Sequence, residues 1–228
     1  MKKRCLVVTP HPDDAELGMG GTILSLKENN HEVCLVDLTS GEPTPYGTEQ
    51  KRKKETREAT AIMGIDRRVN LGLPNRYLMD GREQRLLLAE QIRVFAPDII
   101  FCPYPVDVHP DHYAATAITR GARFYAKYTG LSLKGEPHYT PYVFLYSCSH
   151  MRTTAGYSIL FDISEHFEKK IEAAKCYRSQ FIDNPKNRDV FEYVESRDRY
   201  YGNLIRRKYA EPFYCEEALG IKDFGHLL

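Results

Sequence analysis

The chain has 228 residues, 42% of them hydrophobic, and a formal net charge of +1. That length and apolar content suffice to bury a full core. So neutral a balance sets up no global field toward nucleic acid or an anionic membrane, and no run of about 18 apolar residues is present to cross one.

The first half alternates strands and helices. Arg4–Thr9 reads as a strand, Asp14–Asn29 as a loop that continues into a helix, and Glu32–Leu38 as the second strand. A Gly/Pro-rich loop, Thr39 to Gly47, leads to a helix from Thr48 to Met63, which Gly64 ends as a C-cap would. Arg68–Leu73 is a short third strand. Gly81–Ala96 has Leu86, Leu87, Ala89, Ile92 and Phe95 near helical period, and Pro97 stops it. Asp98–Pro103 is the fourth strand, and a helix runs from Tyr113 to Tyr128.

The second half is less regular. Residues 129–141 form a surface excursion, and Tyr142–Ser147 and Ser158–Asp162 read as strands. Ser164–Gln180 reads as one helix, and Arg188–Tyr209 as a long one with Phe191, Val194, Tyr201, Leu204 and Ile205 on one side. There is no linker and no internal repeat. The pattern predicts a single α/β domain over residues 1–228, a Rossmann-like, mainly parallel sheet with helices on both faces.

The basic start Met1-Lys2-Lys3-Arg4 precedes an apolar run too short for a signal peptide, which predicts a cytoplasmic protein. Of the six cysteines, Cys5, Cys34, Cys102 and Cys148 fall in or beside strands, and none forms a C-x-x-C pair. They read as reduced core residues rather than metal ligands. His31, His138, His150, His166 and His226 are scattered and are expected at the surface. The charge run Lys51–Lys54 reads as a solvated helix face. The arginines Arg197, Arg199, Arg206 and Arg207 belong to a helix packed by its tyrosines.

Two loops carry the chemistry. His11-Pro12-Asp13-Asp14 follows the first strand, and His109-Pro110-Asp111-His112 follows the fourth. In a doubly wound sheet these strands are neighbours at the switch point, so both loops emerge at the same carboxyl edge. His11, Asp14 and one histidine of the second loop should then surround one point. Two imidazoles and a carboxylate with a place left for water suit a catalytic zinc ion. Asp13 can take the proton of that water as general base, and the remaining histidine can donate a proton or steady an oxyanion. Asp111, two residues from His109, can orient that imidazole. Spacing alone leaves open which of His109 and His112 binds the metal.

Two other classes compete. Leu17-Gly18-Met19-Gly20-Gly21, with Asp37 about 20 residues on, invites a nucleotide-binding oxidoreductase. Against it, six residues, His11 to Glu16, separate the strand from the first glycine, so the tight turn is missing. The glycines are better suited to letting the first helix pack closely on the sheet. A non-catalytic metal- or sugar-binding module would have no use for Asp13 or the His109–Asp111 pair.

Both loops resemble the marks of the PIG-L/LmbE-like sugar N-deacetylase superfamily. Further likenesses lie in Asp37-Leu38-Thr39, Gly41-Glu42, Gly47-Thr48 with Arg52, Leu73-Pro74-Asn75, Tyr177-Arg178-Ser179-Gln180-Phe181 and Tyr209-Ala210-Glu211-Pro212-Phe213. These look like the bacterial branch that deacetylates N-acetylglucosaminyl conjugates, GlcNAc-malate of bacillithiol biosynthesis among them. The resemblance implies Zn²⁺ or another divalent metal on His11, Asp14 and His112. It implies Asp13 as general base, His109 as oxyanion stabiliser or acid with Asp111 beside it, and Arg52 at the substrate's sugar or anionic end. Asp107 stands where some relatives place a tyrosine. The implied partner is a small N-acetylated amino sugar, with no nucleic acid or membrane, and a homo-oligomer is among the expectations. An amidase for a larger thiol- or lipid-linked sugar conjugate is the alternative within the hydrolases.

Overall fold

The computed structural model describes residues 2–148 and 156–220. Its strands are β1 (Arg4–Thr9), β2 (Glu32–Thr39), β3 (Arg67–Leu73), β4 (Ile99–Pro103), β5 (Tyr142–Tyr146), β6 (Ile159–Asp162) and β7 (Ala210–Tyr214). They form one sheet in the order β3-β2-β1-β4-β5-β7-β6. Pairing is parallel from β3 through β5, and β7 runs antiparallel to both of its neighbours. β1 and β4 are adjacent, with Cys5 opposite Ile99 and Val7 opposite Phe101. The two histidine loops therefore leave the same edge side by side, as strand counting predicts.

The helices are α1 (Asp14–Glu28), α2 (Glu49–Met63), α3 (Arg82–Phe95), α4 (Pro110–Lys127), α5 (Phe167–Lys175), α6 (Arg178–Phe181) and α7 (Val190–Leu204). On one face α3 and α4 cover Leu6, Val8, Val36, Ile100 and Cys102. On the other, α1 and α5 cover Val7, Leu35, Phe101 and Phe213. Alternate residues of each central strand thus serve opposite layers, which is why these strands read as unbroken apolar runs.

Three elements depart from expectation. α4 begins at Pro110 and not at Tyr113, because proline suits the first helical position and the His109 ring accepts the Asp111 N–H as N-cap. The helix expected over residues 164–180 breaks at Cys176–Tyr177 into α5 and α6. The long final helix stops at Leu204, and β7 follows, a strand absent from the sequence reading. Leu204, expected inward, is exposed, while Arg197 and Asp198 of α7 are buried.

β7 reaches back to the start of the chain. Its Glu211 accepts the N–H groups of Gly21 (3.0 Å) and Thr22 (2.8 Å), where Met19, at φ −146°, interrupts α1. The same carboxylate takes Lys170 Nζ at 2.7 Å, and that ammonium also meets Asp198 at 2.5 Å. Arg197 Nε donates to Asp198 at 2.9 Å. All four charges are buried, two of each sign, so the cluster is neutral as a whole. Beside it, α1 lies close on its neighbours: a Cβ on Gly21 would fall 2.6 Å from Ile163 Cβ, and one on Gly18 would fall 2.7 Å from Ser147 O. The glycines serve packing, as read from the sequence.

The six cysteines are free thiols, four of them buried. His31, His138 and His166 are half-buried rather than at the surface, and His31 and His138 hydrogen-bond the backbone at Lys3 and Pro97. His150 and His226 lie outside the described residues. No helix among the described residues is long and apolar enough to cross a membrane.

Candidate active site

The first histidine loop is held by its neighbours. Tyr146 Oη donates to Val8 O (3.1 Å), and Thr39 N donates to Pro10 O (3.1 Å). Asp14 folds back so that Oδ2 accepts the backbone N–H of His11 at 3.1 Å. Between them Asp13 sits at φ 121°, a strained conformation for any residue but glycine. Strain of this kind persists only where the surroundings enforce it, and it gathers at functional sites.

The donor atoms converge. His11 Nδ1 is 3.0 Å from Asp14 Oδ2, and His112 Nε2 is 3.3 Å from Asp14 Oδ1. On their far sides, His11 Nε2 meets Asp111 Oδ2 at 3.1 Å and His112 Nδ1 meets Asp107 Oδ2 at 2.9 Å. Each far-side carboxylate takes the ring N–H, which turns the opposite lone pair toward Asp14. Carboxylates behind ligating imidazoles are the usual support of a metal site. Two inward lone pairs and a carboxylate need either protons or a cation among them. The donor set therefore fits a divalent ion.

The electrostatics agree. Burial works against a charged His11, but Asp111 and Asp14 outweigh it and lift the ring to about 9. His112 is raised well above its usual value against its burial, chiefly by Asp14. Asp14, despite burial, is held well below the usual carboxylate range by His112 and His11.

A second set, His11, His109 and Asp111, also lies within ligand reach, as does Asp107, His112 and Cys148. Asp111 is committed elsewhere, because its oxygens also accept the N–H of Arg76 (2.6 Å) and of Leu78 (3.2 Å). His109 Nδ1 accepts the Asp111 N–H at 3.2 Å, so Nε2 carries the ring hydrogen. Burial, with His112 and His11 nearby, pushes His109 down to about 4, which keeps it neutral. Cys148 brings a thiol closer to the histidines than the sequence suggested, but burial pushes it up to about 12. Asp111 was expected behind His109. Its carboxylate stands behind His11 instead, because the first turn of α4 swings it across the sheet edge.

Asp13 and Arg52 form one unit. Arg52 Nη1 lies 2.7 Å from Asp13 Oδ2 and 2.7 Å from Pro12 O, and Nε lies 3.2 Å from Glu42 Oε1. Thr48 caps α2 by accepting Lys51 N, and Arg52, Glu55, Ala59 and Met63 make its buried stripe. Arg52 is thus the inward member of an otherwise solvated charge run. Its guanidinium was expected on substrate, yet it is only 3% exposed and spent on internal acceptors. Burial pushes the Asp13 carboxyl up to about 7, against the pull of Arg52 and with a further push from Asp14.

These residues line a cleft of about 300 Å³, at the low end for small-molecule sites. Its other wall is polar and was not foreseen in the sequence: Thr44, Asn75, Arg76, Gln180, Asn184 and Asn187. α6 places Gln180 there because Ser179 N and Oγ both donate to Glu55 at 2.8 Å. The resemblance of residues 177–181 was the signal for this wall, without a role attached. Asp37, the acid of the nucleotide reading, is buried in a two-pronged pair with Arg68 at 2.8 Å and is not offered to a ribose.

An α/β sheet whose switch point carries a His–Asp–His donor set beside an ion-paired aspartate has a candidate metal site of the kind that supports hydrolysis. The chain belongs to the GlcNAc-PI de-N-acetylase (PIG-L) family, whose model matches residues 6–123. It is 28% identical over 247 residues to the diacetylchitobiose deacetylase of Thermococcus kodakarensis, covering 99% of this chain and 88% of that protein. A probable N-acetyl-alpha-D-glucosaminyl L-malate deacetylase 2 of Bacillus anthracis is 27% identical over 193 residues, covering 79% and 82%. Among solved structures, a conserved protein of Thermus thermophilus is similar at 38% identity and a TM-score of 0.88, covering 96% of this chain and 98% of that one.

Proposed function

We propose that this protein hydrolyses the acetamide of an N-acetylglucosamine conjugate, releasing acetate and the free amine. In this reading His11, Asp14 and His112 hold a zinc ion, or another divalent metal. The observation that carries the reading is the pairing of two features at one cleft. One is a donor set with two second-layer carboxylates. The other is an aspartate that is not part of that set, held by a buried arginine.

When bound, the ion would polarise the acetamide carbonyl and lower the pKa of an attacking water toward about 7. The remaining work falls to side chains. Asp13 takes the proton of that water as general base, and Arg52 fixes the carboxylate against rotation and favours its ionised form. His109, neutral with its hydrogen on Nε2, donates toward the oxygen that gains charge or toward the departing amine. Asp111 and Asp107 hold the two ligating rings in their tautomers. Arg52 acts on substrate through Asp13.

The six free thiols suit the cytoplasm, where we place the reaction. The conjugate is argued from two directions. The Bacillus relative is named for a malate conjugate and the Thermococcus relative for a neutral disaccharide. GlcNAc-malate is the substrate we favour. The test is acetate release from a panel of GlcNAc conjugates by zinc-loaded protein, with elemental analysis of the metal. Protein that holds one metal ion and releases acetate from none of them would overturn the proposal.

A further inference from the structure

We infer that Arg76 recognises a negatively charged aglycone and sets the preference of the cleft for anionic conjugates. This rests on the deacetylase reading above. Two guanidinium groups line the cleft. The charge of Arg52 is already matched, since Asp13, Glu42 and Pro12 O accept from its Nε and Nη1 in a buried setting. Arg76 is exposed, and among the described residues its side chain has no hydrogen-bond or ion-pair partner. It is the cation in the wall that remains unmatched.

Its placement is fixed by the backbone. Arg76 N donates to Asp111 Oδ2 at 2.6 Å, the same oxygen that faces His11 Nε2. Leu78 N takes the other oxygen at 3.2 Å. Residues 76–78 are therefore tied to the carboxylate behind His11, and the Arg76 side chain starts at the rim of the reacting centre. Its φ of 67° is left-handed, a conformation an arginine rarely adopts. A glycine would sit there without strain, so the arginine is kept at some cost to the backbone.

The acids around it already have partners. Arg52 holds Asp13 and Glu42, and the two imidazoles, or the ion they would hold, face Asp14, Asp107 and Asp111. An acetamido sugar adds no charge. A carboxylate or phosphate on its aglycone would meet the planar fork of Arg76, which binds such groups through paired hydrogen bonds. A neutral second sugar would leave that guanidinium in water.

The test compares wild type, Arg76→Gly and Arg76→Lys on three probes: GlcNAc-malate, GlcNAc 1-phosphate and methyl N-acetyl-α-glucosaminide. Glycine fits the left-handed backbone, so the fold is kept. For Arg76→Gly, KM for the anionic probe should rise roughly 10- to 100-fold, the loss expected for a charge-assisted contact. KM for the methyl glycoside should change less than about threefold, and Arg76→Lys should restore part of the difference. Comparing the two anions shows whether a carboxylate or a phosphate is preferred. An unchanged KM for both anions, or an equal rise for all three probes, overturns the inference. Calorimetric binding of GlcNAc-malate to the zinc-loaded variants reads the same contrast without turnover. If wild type turns over none of the probes, the deacetylase reading fails, and the calorimetry still decides for or against Arg76.

Discussion

Replacing Asp13 with asparagine removes the base and little else. Asparagine tolerates φ 121° as well as aspartate does. Its amide oxygen can still accept from Arg52, which also keeps Pro12 O at 2.7 Å and Glu42 at 3.2 Å. His11, Asp14 and His112 are untouched, so the metal should stay. What goes is a carboxylate able to take a proton. General-base assistance is worth about 10²–10⁴-fold, or about 3–5 kcal/mol in the barrier at 1.36 kcal/mol per factor of ten. The assay is steady-state acetate release by metal-loaded protein, beside metal content by elemental analysis. The expected result is kcat down by that factor with full metal occupancy. A rate within about threefold of wild type, with metal retained, would remove Asp13 as the base. Loss of metal would make Asp13 part of the ligand set.

Other outcomes follow from the same geometry. His11→Ala and His112→Ala should lose the metal on dialysis, while His109→Ala should keep it; an empty site in His109→Ala would transfer the ligand role to the second triad. Asp14 and Asp111 hold His11 up to about 9, so at pH 7 the ring carries a proton that metal uptake must displace. Metal affinity should therefore climb as pH rises toward about 9, with proton release at pH 7 visible by calorimetry in buffers of different ionisation enthalpy; a pH-independent affinity would contradict this. Glu211→Gln breaks a buried pair with Lys170 and should cost about 3–5 kcal/mol, a fall in Tm on the order of 10 °C. A shift under about 3 °C would show that the cluster contributes little.

The sequence revealed the central half of the sheet because each strand there is buried on both faces and bounded by turn residues. The adjacency of β1 and β4 then followed from topology, and with it the meeting of His11, Asp14 and one histidine of the second loop; the choice of His112 came from the family resemblance. β7 was hidden for physical reasons. It is five residues long, carries a buried charge at Glu211, and contains Pro212, which cannot donate to a ladder. The proline is tolerated because pairing with β5 covers only Phe213 and Tyr214. The far wall of the cleft was hidden because Gln180, Asn184 and Asn187 are uncharged and belong to no periodic pattern. Arg52 was singled out for a substrate role, but a spacing cannot show that a guanidinium is turned inward onto Asp13. Asp111 was placed behind the wrong histidine because the helix was started three residues late.

The tie between Glu211 and the broken first helix joins distant parts of the chain, since the segment that follows the first histidine loop is held by a carboxylate 190 residues further on. Without that carboxylate, Lys170 would lose one of its two anions and the amides of Gly21 and Thr22 would lack their acceptor. The geometry around the first histidine loop is thus coupled to a strand 190 residues further along the chain.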